Sequence, residues 1–168
     1  LIWTHLVYPS SAFVRTYWEF APGEAGEADK AAEAAADVAK TTPTVDLPLE
    51  NTLEHFALAP THLRWRAVLL RDVTDRNNNL VSAERGLIYP SERRRLQGNL
   101  LFFTDVQDDA GLIVIKESAT PLAQLNYPGY DFALEGHRLS VAGCGLGESD
   151  WHAPMRLRAY GVAVGVHQ

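Results

Sequence analysis

Cysteine is nearly absent from this 168-residue chain: Cys144 stands alone, so no internal disulfide can form. Basic residues are in deficit. With 15 Lys and Arg against 21 Asp and Glu the formal charge is −6, which speaks against a nucleic-acid partner, because phosphate recognition needs clustered cations. Long apolar runs are missing too. None approaches the roughly 18 residues that span a bilayer, so no membrane partner is expected. The chain shows no charged n-region with an apolar stretch and a small-residue cleavage site. Leu1 follows no Met and falls inside a strand-like run. The natural start is therefore expected to be missing and the chain to be an excerpt of a larger protein.

What is present suits a globular domain. Apolar residues make up 46% and charged residues 21%, enough for one sizeable core over residues 1–168. Val, Ile, Phe, Tyr and Trp concentrate in Leu1 to Tyr8 and Ala12 to Phe20, with Pro9-Ser10-Ser11 between them, the pattern of a hairpin. Similar runs recur at Leu53 to Ala59, Leu63 to Val73, Asn99 to Thr104, Leu112 to Lys116, Asp131 to Leu134, Leu139 to Ala142 and Met155 to Val166. Turn clusters at Asp75 to Asn79, Asp108 to Gly111, Tyr127-Pro128-Gly129 and Gly143 to Gly147 separate them. Many short strands with turn chemistry between them predict an all-β, antiparallel two-sheet β-sandwich. One segment differs in kind. Glu24 to Lys40 holds eight Ala among 17 residues and five acids against two Lys, and an insertion over 24–42, helical or mobile, is expected there.

Motifs for chemistry are few. Asp75-Arg76-Asn77-Asn78-Asn79 alternates oxygen-bearing side chains like a calcium loop, but Leu80 and Gly86 stand where that loop needs Gly and Glu. A polar turn fits better. Gly143-Cys144-Gly145-Leu146-Gly147 departs from the dinucleotide fingerprint and leads into no helical pattern, so a strand-to-strand loop is expected. The six histidines show no tight metal-ligand spacing, Cys144 has no local catalytic partner, and no Ser occupies a nucleophile elbow. No cofactor and no metal are therefore expected. Trp3, Trp18 and Trp65 lie in apolar strand runs, where core packing is the default. Trp151, beside Asp150 and His152 in a polar loop, is the tryptophan expected to be exposed, and so the candidate for meeting a ligand or partner domain.

Several strings occur in an order that carries a resemblance. They are Tyr8-Pro9-Ser10-Ser11-Ala12-Phe13-Val14-Arg15, Asp72 to Val81, Leu96-Gln97-Gly98-Asn99-Leu100-Leu101-Phe102, Gly111 to Glu117, Gln124 to Phe132 and Arg158 to Gly165. Together they resemble the N-terminal domain of α-galactosidases of glycoside hydrolase family thirty-six, across nearly the whole chain outside the Ala-rich insertion. The resemblance implies a galactose-mutarotase-like β-supersandwich that precedes a catalytic (β/α)8 barrel. In that family the barrel hydrolyses terminal α-galactosides with retention, using two aspartates. Its Lys-Trp-Asp nucleophile segment does not occur here, so no catalytic residue carries over. The implied partners are the catalytic barrel of the same parent chain, an α-galactoside carbohydrate and further copies in a homo-oligomer. Carbohydrate-facing candidates are Trp151, Asp75, Arg76, Tyr127 and Asp131, each with a turn-fixing role as the alternative. Two other functions stay open. One is a free-standing carbohydrate-binding module with an exposed aromatic platform. The other is an aldose-epimerase-like enzyme, with His137 and Glu135 or His152 and Glu148 as acid and base.

Overall fold

Side chains that alternate between apolar and polar suit a pleated surface buried on one side, and strands form wherever that pattern runs. The computed structural model describes residues 2–20, 52–60, 62–70, 81–147, 150 and 155–167. Among these the strands are β1 (Ile2–Val7), β2 (Phe13–Phe20), β3 (Thr52–Ala57), β4 (Leu63–Leu70), β5 (Val81–Leu87), β6 (Arg93–Leu96), β7 (Leu100–Asp105), β8 (Gly111–Glu117), β9 (Phe132–Glu135), β10 (Arg138–Ala142) and β11 (Leu157–His167). No helix occurs among the described residues. The insertion expected over 24–42 lies outside them.

The strands form two antiparallel sheets. One has seven strands in the order β1-β2-β11-β8-β7-β4-β5, and the other has four in the order β3-β10-β9-β6. The fold is the expected all-β two-sheet sandwich. Cross-strand register sets which side chains share a face. In the large sheet Trp65 pairs with Phe103, Phe103 with Leu112, Leu101 with Val114, and Val114 with Val164. In the small sheet Leu96 pairs with Phe132, Phe132 with Val141, and Leu134 with Leu139. These two inner faces meet in one core.

The two outer faces differ. The small sheet turns Arg93, Arg95, Ala133, Glu135, Arg138 and Ser140 outward, the polar covering expected of a solvated face. The large sheet turns Leu100, Phe102, Ile113 and Ile115 outward from its central strands, all half-buried.

Two strands, β5 and β6, carry no apolar run. Their sequences, Val-Ser-Ala-Glu-Arg-Gly-Leu and Arg-Arg-Arg-Leu, belong to sheet edges. An edge strand tolerates charge, and charge keeps other chains from pairing with it. β5 also supplies Gly86 opposite Trp65, and a Cβ there would come within 2.9 Å of the indole.

The tryptophans correct one expectation. Trp65 is core, with 2% exposure, and Trp18 is half-buried with its indole N–H donating to the Leu53 carbonyl at 2.9 Å. Trp3 is 46% exposed. It lies on edge strand β1, stacked on Trp18 with centroids 4.9 Å apart. Trp65→Ala is expected to lower stability by about 3–5 kcal/mol. Trp3→Ala, which loses an aromatic pair and little burial, should cost no more than about 1.5 kcal/mol. Urea denaturation of both variants checks the contrast, and equal losses would contradict this placement of the core.

Candidate functional site

Lys116 occupies a position where strand periodicity places an apolar side chain. Leu112 and Val114 face the small sheet, and Lys116 follows at the same period-two spacing, cross-strand from Val162. Its side chain is fully removed from solvent, and so is that of Asp131, the residue before β9. The two form an ion pair with Nζ 2.7 Å from Oδ1.

The surroundings supply what a buried pair needs. Lys116 Nζ also donates to Gln124 Oε1 at 2.7 Å, and Gln124 Nε2 donates to Asp131 Oδ1 at 2.8 Å. The second carboxylate oxygen accepts the Gly98 amide at 2.8 Å and the Tyr127 hydroxyl at 3.2 Å. The Lys116 ammonium further lies 5.8 Å from the Tyr127 ring and 5.9 Å from the Tyr160 ring. Main-chain bonds frame the cluster: Asp131 N donates to Leu96 O at 2.9 Å, Ala142 N to Asp131 O at 2.8 Å, and Lys116 N to Asn99 O at 2.8 Å. The Asn99 side-chain Nδ2 in turn donates to the Ser118 and Ala119 carbonyls, which fastens the start of the β8–β9 connection.

Two glycines make room for it. Gly98 has φ +142°, and a Cβ there would collide with the Val68 carbonyl. Gly143 has φ +80°, and a Cβ there would stand 2.8 Å from Lys116 Nζ. Part of the Gly143 to Gly147 run is thus a wall against which the ammonium packs.

Burial pushes the Lys116 ammonium below the ordinary lysine value, more than the Asp131 carboxylate pulls it back up. Burial, then the negative charge and hydrogen bond of Asp131, push the Tyr127 phenol well above its usual range. Burial also raises the Cys144 thiol, so it stays protonated and unreactive at neutral pH. A lysine of lowered pKa beside a tyrosine and a carboxylate has the composition of a nucleophile or proton relay. Here the ammonium and carboxylate bond each other and their own neighbours, and neither touches solvent. The arrangement fastens strands together and offers no face to a substrate.

Of the residues singled out from sequence, Tyr127 and Asp131 come together in this cluster. Asp75, Arg76 and Trp151 lie outside the described residues, as do Glu148 and His152. His137 and Glu135 fall on the tight β9–β10 turn, whose strands pair Glu135 with Arg138. No group of three His, Cys, Asp or Glu residues is placed to hold a metal among the described residues. Lys116 and Gln124 were not anticipated. The signal for Lys116 was its phase with Leu112 and Val114; Gln124 sits in an irregular connection that carries no such phase.

A second feature opens at the sandwich mouth between β1, β2 and β3. A groove of about 440 Å3 is lined by Trp3, His5, Val14, Phe56 and Val164, with Thr16 and Glu54 as polar members. Glu54 Oε2 accepts the Thr16 hydroxyl at 3.2 Å, and Glu54 Oε1 accepts the His55 amide at 3.1 Å. No family model, curated protein or solved structure matches this chain.

Removing one member of the buried pair strands the other. Lys116→Met is expected to lower stability by about 3–5 kcal/mol, and adding Asp131→Leu should recover part of that loss. Chemical denaturation of the single and double variants checks it, and a double variant no better than the single would argue against charge burial as the cause. The raised Tyr127 phenol gives a pH signature. Because its folded value exceeds the unfolded 10.0, its contribution is complete below pH 10 and is lost as pH climbs toward the folded value. In an alkaline titration of phenolate absorbance, Tyr127→Phe should leave the change near pH 10 unaltered, and a reduced amplitude would contradict the assignment.

Proposed function

We propose that this chain is the non-catalytic N-terminal accessory domain of an α-galactosidase-like glycoside hydrolase. In that role it supports a catalytic (β/α)8 barrel, lends loops to the rim of the sugar pocket and contributes oligomer contacts. The observation that carries this proposal is the apolar outer face of the seven-stranded sheet, where Leu100, Phe102, Ile113 and Ile115 lie side by side across β7 and β8. A free-standing antiparallel sandwich covers its outer faces with polar side chains, as the small sheet does. A sheet apolar on both sides suits a domain that packs against a neighbour. The commitment of Asp131 to Lys116 also favours a supporting role, since glycoside hydrolysis needs two carboxylates open to the sugar. The family itself rests on the ordered sequence strings, and the β-sandwich fold is compatible with it.

A carbohydrate-binding module is favoured by one separate observation, the exposed Trp3 beside His5 and Glu54 in the mouth groove. An aromatic plate with a few polar groups at its rim suits a sugar ring.

Hydrolysis of p-nitrophenyl-α-galactoside tests the proposal, using the 168-residue chain alone and the parent polypeptide that an accessory domain requires. Turnover by the parent only is the expected result, whereas clear turnover by this chain alone would sink it. Tryptophan fluorescence of the isolated chain should stay unchanged on adding galactose. A saturable change that Trp3→Ala abolishes would favour the binding module instead.

A further inference from the structure

The outer face of the seven-stranded sheet treats its arginines in two ways. On the β2 and β11 side each one has a partner. Arg15 pairs with Glu117 across the buried Gly161, Arg156 pairs with Glu19, and the Arg158 guanidinium lies 3.6 Å above the Tyr17 ring. At the β4–β5 end, Arg64, Arg66 and Arg85 are exposed, and none has a hydrogen bond or ion pair among the described residues.

Their register makes the lack of partners costly. Arg66 stands directly opposite Arg85 across the β4–β5 ladder, and Arg64 stands two residues along β4 on the same face, opposite Leu87. Facing like charges in a sheet destabilise it. The β7 neighbours of Arg64 and Arg66 are Thr104 and Phe102, so no carboxylate lies opposite either arginine. In a chain of charge −6 this is a local reversal of sign. Apolar side chains frame it: Leu70 (39% exposed), Val81 (48%) and Leu87 (44%), with half-buried Phe102 leading onto the apolar strip of β7 and β8. Arginine beside exposed aliphatic and aromatic groups is the composition of a protein interface, and planar guanidinium forks suit carboxylates.

We propose that the β4–β5 end of this face docks an acidic amphipathic helix of a partner protein or domain. The helix would set its apolar stripe on Leu70, Val81, Leu87 and Phe102 and its carboxylates on Arg64, Arg66 and Arg85. Spacing favours a helix. Residues two apart on a strand lie roughly 6.8 Å apart, close to the roughly 6 Å rise between helical positions i and i+4. Two acids at that interval meet Arg64 and Arg66 together. The apolar frame disfavours a nucleic acid, which would need cations throughout. The proposal adds the chemistry of the docked element to the accessory-domain proposal and holds equally if the partner is not a glycosidase barrel.

The test uses designed helical peptides of about eighteen residues, five turns, with one leucine stripe flanked by Glu, Gln or Lys. Fluorescence anisotropy of labelled peptide measures binding to this chain. The Glu peptide is expected to bind about tenfold tighter than the Gln peptide, the Lys peptide not to bind, and the preference to shrink at high salt. In the triple variant Arg64→Gln, Arg66→Gln, Arg85→Gln the preference should vanish while the free protein melts no lower, since a repulsive pair has been removed. Equal binding of all three peptides, no binding, or a single-stranded oligonucleotide bound as tightly as the Glu peptide would each overturn the proposal. A lower melting temperature of that variant would also overturn it, by assigning the arginines a structural role. None of these outcomes bears on galactoside hydrolysis by a parent enzyme, so the two proposals fail separately.

Discussion

The buried pair of Lys116 and Asp131 is the constraint on which the arrangement of strands around it depends. Lys116 belongs to β8 of the large sheet, and Asp131 immediately precedes β9 of the small one. Their contact is therefore a tie between layers. Taking two charges out of water costs several kcal/mol for each ion. That cost is offset only if the geometry is close and the remaining lone pairs are filled, and Gln124, Tyr127 and the Gly98 amide fill them. A well-packed apolar pair in the same place can be as stable. What the ion pair adds is selectivity among arrangements. A shift of β9 by one residue would move Asp131 away from the ammonium and leave both charges buried alone. Gly98 and Gly143 are consequences of the same tie, because one must pass close to the Val68 carbonyl and the other must leave space for Nζ.

The two sheets divide their work by face. The small sheet follows the rule for a solvated layer, apolar inside and polar outside. The large sheet breaks it, because β7 and β8 are apolar at consecutive positions from Leu100 to Phe103 and from Leu112 to Ile115. The polar groups on that face are not spread evenly. They pair among themselves near β2 and β11 and, among the described residues, stand without a charge partner near β4 and β5. An apolar strip that ends in uncompensated cations differs from both a solvated face and a hydrophobic core. Its free energy falls when a surface with the complementary pattern covers it.

Strand order along the chain was largely legible because period-two alternation is a local signal. Leu139 to Ala142 and the hairpin at Tyr8 to Ala12 could be read from a few neighbouring residues. β5 and β6 were not legible. Their arginines and glutamate contradict any hydrophobic pattern, and their place at sheet edges depends on pairing with β4 and β9, which composition alone does not assign. Trp3 failed for the opposite reason. Its apolar neighbours Ile2, Leu6 and Val7 predict burial, but β1 is the edge of the seven-stranded sheet, and edge position is set by non-local pairing that the run itself does not encode. Tyr127 and Asp131 were selected in one short segment as carbohydrate-facing candidates, with turn fixing as the alternative. Their partner Lys116 is distant from the turn and looks, in sequence, like the charged end of a strand.

Perturbed ionisation is a poor guide to function when taken alone. Structural networks shift pKa values as strongly as active sites do, and here the lysine, phenol and thiol are all displaced in a cluster whose ion pair is closed to water. Access decides between the two cases. A catalytic lysine must reach a substrate atom, and each bond Lys116 would have to release holds two sheets in register. Among the described residues, the groups exposed to meet another molecule include the arginines of β4 and β5 and the tryptophan at the sandwich mouth. In this fold the chemistry that is buried maintains the scaffold, and recognition falls to the edges and the outer face, where side chains can exchange solvent for a partner without unfastening the core.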